Sequence, residues 1–320
     1  MSFDFEAAVS APFRMQTGLR RLAPGVEQLT PNIAPERGTA SHLREKLAVL
    51  QTFPGQALLS REGFEARPAL DALAGHAARE QPQAFAADAA SWRAPILGWA
   101  IDEAGGVPEL DPIRTPWPEV GECLRALPAR WRHAALLSLA FAEDFAIIDG
   151  TDATIPWLAV ALPSHWAPEH RVGGPFADVH APMADNRPIT GAASHLARLV
   201  TGSDRWERFV WTIVRHPRLH AHPERVDPAP WPAQLEGDAL AAQAWWRTER
   251  QSFIPVNDVQ QAVFTIRVDV QPLTRTLADP ARARRVHDAL ASMSDAVLEY
   301  RGLASVRDRL LRWLSAHAAR

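Results

Sequence analysis

The sequence contains a single cysteine and no long apolar run, and each of these features excludes certain classes of protein. With Cys123 alone, the chain cannot form an internal disulfide, a C-x-x-C zinc site, a c-type haem attachment or an iron–sulfur cluster of its own. No apolar run approaches the roughly 18 residues that span a bilayer, and no basic-then-apolar leader opens the sequence. We therefore expect a cytoplasmic protein that enters no membrane.

Several common catalytic motifs are also absent. There is no G-x-G-x-x-G after a strand, no G-x-x-x-x-G-K-[ST], no H-E-x-x-H and no G-x-S-x-G, so nucleotide-binding, zinc-protease and serine-hydrolase functions lose support. The 34 Lys and Arg nearly balance the 37 Asp and Glu, so electrostatics gives no reason to expect nucleic acid as a partner. Twelve tryptophans suit a core or the wall of a pocket for a planar ligand.

The hydrophobic pattern predicts strands joined by short turns, with helices at both ends of the chain. Helices are expected at about 40–51, 69–80, 129–142 and 189–201, and strands at 96–101, 145–149, 157–162, 208–215, 250–254 and 262–270. The last two strands should pair as an antiparallel hairpin across a polar turn. Without repeated βαβ spacing, this order favours an α+β fold around a mostly antiparallel sheet.

The C-terminal region shows two apolar helical stripes. The first comprises Val286, Leu290, Met293 and Val297, and the second Leu303, Val306, Leu310 and Leu314. Asp279-Pro280 is a typical helix start. We expect one domain over 1–320, divided into an N-terminal wrap (about 1–90), a core (about 91–275) and C-terminal helices (about 276–320).

The histidine-rich segment HPRLHAH, with His216, His220 and His222, is a weak candidate for a metal site. Pro217 disrupts its regular geometry, and the segment itself supplies no carboxylate or cysteine to complete a ligand set. A solvated loop is the favoured interpretation.

Five short motifs occur in an order that resembles a known family. They are Pro163-Ser164-His165-Trp166, Val179-His180-Ala181-Pro182, Arg208 with Trp211, Glu249-Arg250-Gln251-Ser252, and Val263-Phe264-Thr265-Ile266-Arg267. Together with FRMQTGLRRL at 13–22, they resemble the family of the haem-dependent oxidative N-demethylase alpha subunit. Each motif alone is weak, but their order and spacing make chance an unsatisfactory explanation.

The resemblance implies a PAS-like antiparallel sheet with added helices, and a b-type haem (haem b) in the core region. It also implies an O2-dependent oxidation of a methyl group on a small secondary amine such as dimethylamine, releasing formaldehyde. Electrons would come from NADPH through separate flavin and iron–sulfur subunits. The chain is consistent with such partners, because it lacks a dinucleotide motif and the cysteines for a cluster.

Within this resemblance, His180 is the first choice for the metal ligand on the haem iron. A neutral imidazole is a common haem donor, and Pro182 would stiffen the loop. His165, His170 and a Cys123 thiolate are ranked lower. Trp166 is a further candidate for contact with the cofactor.

Haem propionates need cationic partners, and Arg suits bidentate pairing with carboxylates. The candidates are Arg171, Arg208, Arg250 and Arg267, of which the last two should share one face of the predicted hairpin. Structural salt bridges with Glu249 or Asp269 are an equally good explanation of these arginines. Glu249, with Arg250, is the candidate catalytic pair, the carboxylate acting as counter-charge to a protonated amine.

Two positions depart from the pattern of that family, which has Gln-Glu-Asp where this chain has Ala142-Glu143-Asp144, and Asn in place of Val210. A different substrate or a loss of catalysis would follow from such divergence, and haem binding is the safer inference. Two alternatives stay open: a non-catalytic PAS-like haem sensor, and a cofactor-free interaction protein.

Overall fold

A computed structural model of the chain describes residues 3–13, 17–32, 40–111, 113, 117–176, 193–226 and 230–319. His180, the proposed metal ligand, lies outside the described residues, as do the rest of its motif and the first residues of the helix predicted at 189–201. No helix within the described ranges is both long and apolar enough to cross a bilayer.

The fold is built on a seven-stranded sheet in which every neighbouring pair is antiparallel. The strand order is β1-β8-β9-β10-β6-β7-β2, with bounds β1 Arg20–Arg21, β2 Leu58–Ser60, β6 Asp144–Asp149, β7 Thr154–Ala159, β8 Trp206–Val214, β9 Trp245–Val256 and β10 Gln261–Pro272. This arrangement, with helices before and after it, confirms the predicted α+β class and the mostly antiparallel sheet.

The centre of the sheet is the predicted hairpin of β9 and β10. The strands pair over their full twelve residues, from Gln261 opposite Val256 to Pro272 opposite Trp245, and so extend well beyond the segments predicted from the sequence. The turn passes through a short 3-10 helix, Asn257–Val259, and ends at Gln260, whose φ of 50° is left-handed. Aromatic and β-branched residues favour this long ladder because they pack well on a pleated surface.

A second, three-stranded sheet contains β3 (Ala86–Ala87), β4 (Ser91–Ala94) and β5 (Trp99–Asp102). The strand predicted at 96–101 is therefore only partly right. Residues 95–98 form the turn between β4 and β5, and Gly98 there has φ of 82°. Its freedom at positive φ permits the turn.

The helices cover the sheet from both ends of the chain. Their bounds are α1 Phe5–Ala8, α2 Ala40–Thr52, α3 Pro54–Ala57, α4 Arg67–Glu80, α5 Pro118–Ala126, α6 Ala129–Ala140, α7 Ala193–Val200, α8 Gly237–Ala241, α9 Leu273–Thr276, α10 Pro280–Ala291, α11 Asp295–Tyr300 and α12 Arg307–Ala318. The predictions for α2, α4 and α6 are confirmed within two residues at each end.

The first C-terminal stripe does not lie on one helix. α10 begins at the predicted Asp279-Pro280 start, where Asp279 caps Ala281 N–H, but it ends at Ala291. Ser294 then caps α11 by accepting from Val297 N–H. The serine offers the backbone a local hydrogen bond, which starts a new helix and divides the apolar stripe between α10 and α11.

The two faces of the main sheet are both buried, against different parts of the chain. On one face α4 contacts β9 and β10, and the segment 27–30 bonds to residues of the same strands. On the other face lie residues 17–19, the loop from 163 to 176, and α7. A separate apolar cluster joins α10, α11 and α12 to Trp211 and Trp246, whose rings stack at 4.7 Å.

Candidate functional site

A cavity lies between the main sheet and the segments that cover one of its faces, namely residues 17–19, the loop from 163 to 176, and α7. The strands contribute side chains from β6 to β10, and the cover contributes side chains from three separate segments. The lining residues are Thr17, Leu19, Ala146, Ile155, Leu158, Trp166, Arg171, Phe176, Leu196, Arg208, Glu249, Gln251, Phe253, Phe264 and Ile266.

Most of the cavity wall is apolar. The cavity volume is about 80 Å³, and the empty space in and around it, including the part open to solvent, is about 720 Å³. Phe253 and Phe264 pair across β9 and β10 with their rings stacked at 4.8 Å, and they form the floor. Such a wall excludes water and favours a ligand with a large apolar surface.

At the polar end of the cavity, three side chains are linked in a row by hydrogen bonds. Arg208 Nε donates to Gln251 Oε1 at 2.5 Å, and Gln251 Nε2 donates to Glu249 Oε2. Arg208 pairs in register with Gln251 across β8 and β9, and Glu249 lies two residues away on the same face of β9. Burial lowers the pKa of the Arg208 guanidinium, and the nearby Glu249 carboxylate partly offsets this effect.

Trp166 reaches the cavity from a loop that is tied to the sheet by Arg247. The guanidinium of Arg247, which is 1% exposed, donates to Ser164 Oγ at 2.9 Å and to the backbone oxygen of Pro163 at 3.2 Å. His165, which lies between Ser164 and Trp166, has φ of 63°, a conformation that costs free energy for a non-glycine residue. Arg247 therefore fixes a strained loop, and Trp166, the residue after the strained His165, forms part of the cavity wall.

Four of the residues proposed from the sequence come together in this cavity. They are Trp166, Arg171, Arg208 and Glu249. Residues 177–192, including His180, connect Phe176 to α7, and both Phe176 and Leu196 of α7 line the cavity.

Arg250 and Arg267 lie elsewhere. They are cross-strand partners and share one face, as expected, but that face is opposite to the one that carries Glu249. Arg250 pairs with Glu207 at 3.0 Å, and Arg267 pairs with Asp269 at 2.9 Å. The salt-bridge explanation considered for these two arginines is the one that their contacts support, with Glu207 rather than Glu249 as the partner of Arg250.

The lower-ranked iron ligands are not in the cavity wall, and no histidine or cysteine is found among the described residues that line it. His165 and His170 are exposed on the loop. Cys123 is buried in α5, and burial raises the pKa of its thiol to about 11, which disfavours a thiolate.

The histidine-rich segment is not a simple solvated loop, because His222 is buried at 1% exposure. Its Nε2 lies 3.1 and 3.2 Å from the two carboxylate oxygens of Glu169, and its Nδ1 accepts the backbone N–H of Glu224 at 3.2 Å. The structure thus brings in carboxylates that the segment itself lacks, and potential ligand atoms of the three residues lie within 4.8 Å of one another. A ring that accepts at Nδ1 carries its proton on Nε2, which favours a His–Glu hydrogen bond over metal ligation.

Sequence reasoning missed Gln251 and the cavity floor. Gln251 belongs to the Glu249-Arg250-Gln251-Ser252 motif, yet it had no assigned role. The alternation of side chains along a strand was the available signal, because positions 249, 251 and 253 share one face of β9. Arg247 has the same parity and was missed for the same reason.

The chemistry of the cavity fits a haem in part. Apolar walls suit the porphyrin ring, and Arg171 and Arg208 can neutralise carboxylates, whereas the described part of the wall supplies no ligand for iron. The family model described as haem-dependent oxidative N-demethylase, alpha subunit-like, matches residues 43–311. The match includes every strand of the seven-stranded sheet except β1 and all the cavity-lining residues except Thr17 and Leu19, and the chain therefore belongs to the haem-dependent oxidative N-demethylase alpha subunit-like family.

Proposed function

We propose that this chain is the haem-binding subunit of an oxidoreductase that removes a methyl group from a small secondary amine of the dimethylamine type, with O2 as oxidant and formaldehyde as product. The observation that carries the proposal is the cavity itself: apolar walls on a buried sheet face, with a carboxylate and two guanidinium groups at its margin. Membership of a family named for haem-dependent oxidative N-demethylation supports the proposal.

A non-covalent b-type haem would supply the oxygen chemistry in this cavity, and the chain's own residues would bind and orient the reactants. We assign His180 to the iron, since in the sequence it lies between Phe176 and Leu196, which both line the cavity. Arg171 is the candidate partner for a propionate, and Trp166 for contact with the ring. Arg250 and Arg267 are not part of this proposed site, because their side chains lie on the opposite face of the sheet.

Glu249 is assigned to the amine. Its carboxylate can accept a hydrogen bond from a protonated amine nitrogen and so hold the amine at the cavity. The surrounding apolar side chains would exclude water and pack against the methyl groups. The PAS-like character of the sheet and a location in the cytoplasm belong to the same proposal.

The electrons must come from other proteins. The chain has one cysteine, which is buried, and no dinucleotide motif, so separate flavin and iron–sulfur subunits are proposed as partners. The family's designation as an alpha subunit supports an assembly of several chains.

The ligand assignment is tested by titrating the purified protein with haemin and recording the Soret band. His180→Ala should lose or shift the band, and His195→Ala, an exposed histidine on α7, is the matched control and should leave it unchanged. An identical spectrum for His180→Ala and the unaltered protein would remove His180 from the iron.

A second assay separates the enzyme from a haem sensor. Reconstituted protein supplied with an artificial electron donor, O2 and dimethylamine should release formaldehyde, and Glu249→Gln should lose most of that rate. Haem binding without formaldehyde release from any methylamine would favour a sensor.

A further inference from the structure

The polar end of the cavity holds two opposite charges that do not pair with each other. Arg208 and Glu249 both line the cavity, and the Glu249 carboxylate acts to raise the pKa of Arg208. The two side chains nevertheless form no direct ion pair within 4 Å. Gln251 lies between them, with its oxygen bound to Arg208 and its amide nitrogen bound to Glu249.

The register of the sheet explains this separation. Arg208 is directly opposite Gln251, whereas Val210 is opposite Glu249, so Arg208 and Glu249 are diagonal neighbours. Diagonal neighbours are about 7–8 Å apart, and one side chain of the length of Gln can bridge them. The amide cannot be reversed without facing the guanidinium with its own N–H groups, because Arg has donors only. Gln251 thus holds the two charges apart in a fixed order.

Holding the charges apart leaves hydrogen-bonding capacity on both of them. Arg208 donates through Nε to Gln251 and makes one long contact, 3.5 Å, from Nη1 to the backbone oxygen of Thr17. Arg208 lines the cavity, where burial disfavours its charge and lowers its pKa, so an anion bound beside it would stabilise the guanidinium. Glu249 accepts from Gln251 through one oxygen and has a second oxygen for a cation.

We infer that the amine bound here also carries a carboxylate, that is, that the substrate class is N-methylated amino acids, with a secondary or a tertiary amine, rather than simple methylamines. Glu249 binds the ammonium group, Arg208 binds the carboxylate, and the apolar wall around Phe253 receives the methyl groups. This inference rests on the proposed function for the reaction, but it concerns binding and is testable without turnover.

The test uses haem-free protein and isothermal titration calorimetry with three small compounds that differ in the charged groups they carry. N,N-dimethylglycine carries both charges, 3-methylbutanoate only the negative one, and dimethylethylammonium only the positive one. Dimethylglycine should bind at least about tenfold more tightly than either of the others, the difference that one charged hydrogen-bonded contact supplies. Equal affinity for dimethylglycine and dimethylethylammonium would overturn the inference.

Variants assign each charge to its residue. Arg208→Gln should abolish the preference for dimethylglycine over dimethylethylammonium, and Glu249→Gln the preference over 3-methylbutanoate. Arg312→Gln, in which a 61% exposed arginine is replaced, is the matched control and should keep both preferences. If Arg208→Gln fails to fold, Arg208→Lys should weaken the carboxylate preference, and the compound series on the unaltered protein decides the question by itself.

Haem propionates present the same chemistry as a substrate carboxylate, and a haem-loaded sample distinguishes them. If the preference for dimethylglycine persists after reconstitution with haemin, the carboxylate site serves the substrate. If reconstitution abolishes that preference, Arg208 binds a propionate and the inference is wrong. Protein that prefers dimethylglycine but gives no Soret band would retain the inference while refuting the proposed haem function.

Discussion

Arg247 joins β9 to two loops through four hydrogen bonds. It bonds to Ser164 and Pro163 in the loop that leads to Trp166, and to the backbone oxygens of Arg218 and Leu219, at 2.9 and 2.8 Å, in the histidine-rich segment. Burial lowers the pKa of this guanidinium to about 10, so it stays charged at neutral pH. We expect Arg247→Ala to be among the most destabilising changes in this part of the protein.

The size of the effect follows from what the truncation leaves behind. A hydrogen bond from a charged donor contributes about 1.5–3 kcal/mol, and a buried oxygen left without a donor costs about 1–3 kcal/mol. Four bonds do not add fully, because water can enter the vacated space and satisfy part of the carbonyl oxygens. We therefore expect a loss of about 3–5 kcal/mol in the free energy of unfolding, as for other broken buried charge contacts.

Urea denaturation followed by far-ultraviolet circular dichroism measures this loss. The control is Arg312→Ala, which removes an ion pair with Glu236 in which both side chains are more than 60% exposed, and it should cost less than about 1 kcal/mol. Arg247→Lys should fall between the two, because one ammonium cannot reach all four acceptors. A loss for Arg247→Ala that matches the Arg312→Ala control would refute the reasoning.

Three further predictions concern the interior. Cys123, buried with its pKa raised to about 11, should not react with a thiol reagent at pH 8 until urea unfolds the chain. Lys46→Met should cost about 3–5 kcal/mol, because it leaves Asp144 buried without its 3.1 Å partner, and the double variant Lys46→Met/Asp144→Leu should recover only part of that in the same urea assay, because the Leu162 N–H then loses its acceptor on Asp144. For Glu80, burial raises the pKa, but the interaction with His76, 3.3 Å away, and hydrogen bonds from the backbone N–H groups of Gln28 and Leu29 outweigh burial, so the net pKa is lowered. Its stabilisation is present above the unfolded pKa of about 4.3 and is lost as pH falls through the lower folded pKa, so the difference in unfolding free energy between wild type and Glu80→Gln should shrink below about pH 4.

The sequence predicted the elements that have one strong periodic signal. The segment FAIID is buried along its whole length in β6, and its apolar run with Gly150 behind it needed no tertiary context. The segment 96–101 was harder, because its apolar residues belong partly to a turn at Gly98. A stripe of apolar residues also cannot show where a serine cap divides a helix, as Ser294 does between α10 and α11.

The sequence predicted most of the functional side chains that line the cavity, but not which face of the sheet forms it. Alternation sorts the hairpin into two sets, one with Glu249 and Gln251 and the other with Arg250 and Arg267. When one face of a sheet meets water, polar residues mark that face, and the core side can be read directly. Here both faces are covered and both sets contain buried charges, so polarity does not distinguish them. The distinction comes from long-range packing, with α4 and the segment 27–30 on the arginine side and α7 with the Trp166 loop on the other. A charge that is paired by its own scaffold, as Arg250 is by Glu207, is structural. The charges that Gln251 holds apart in the cavity are the ones that remain for a ligand.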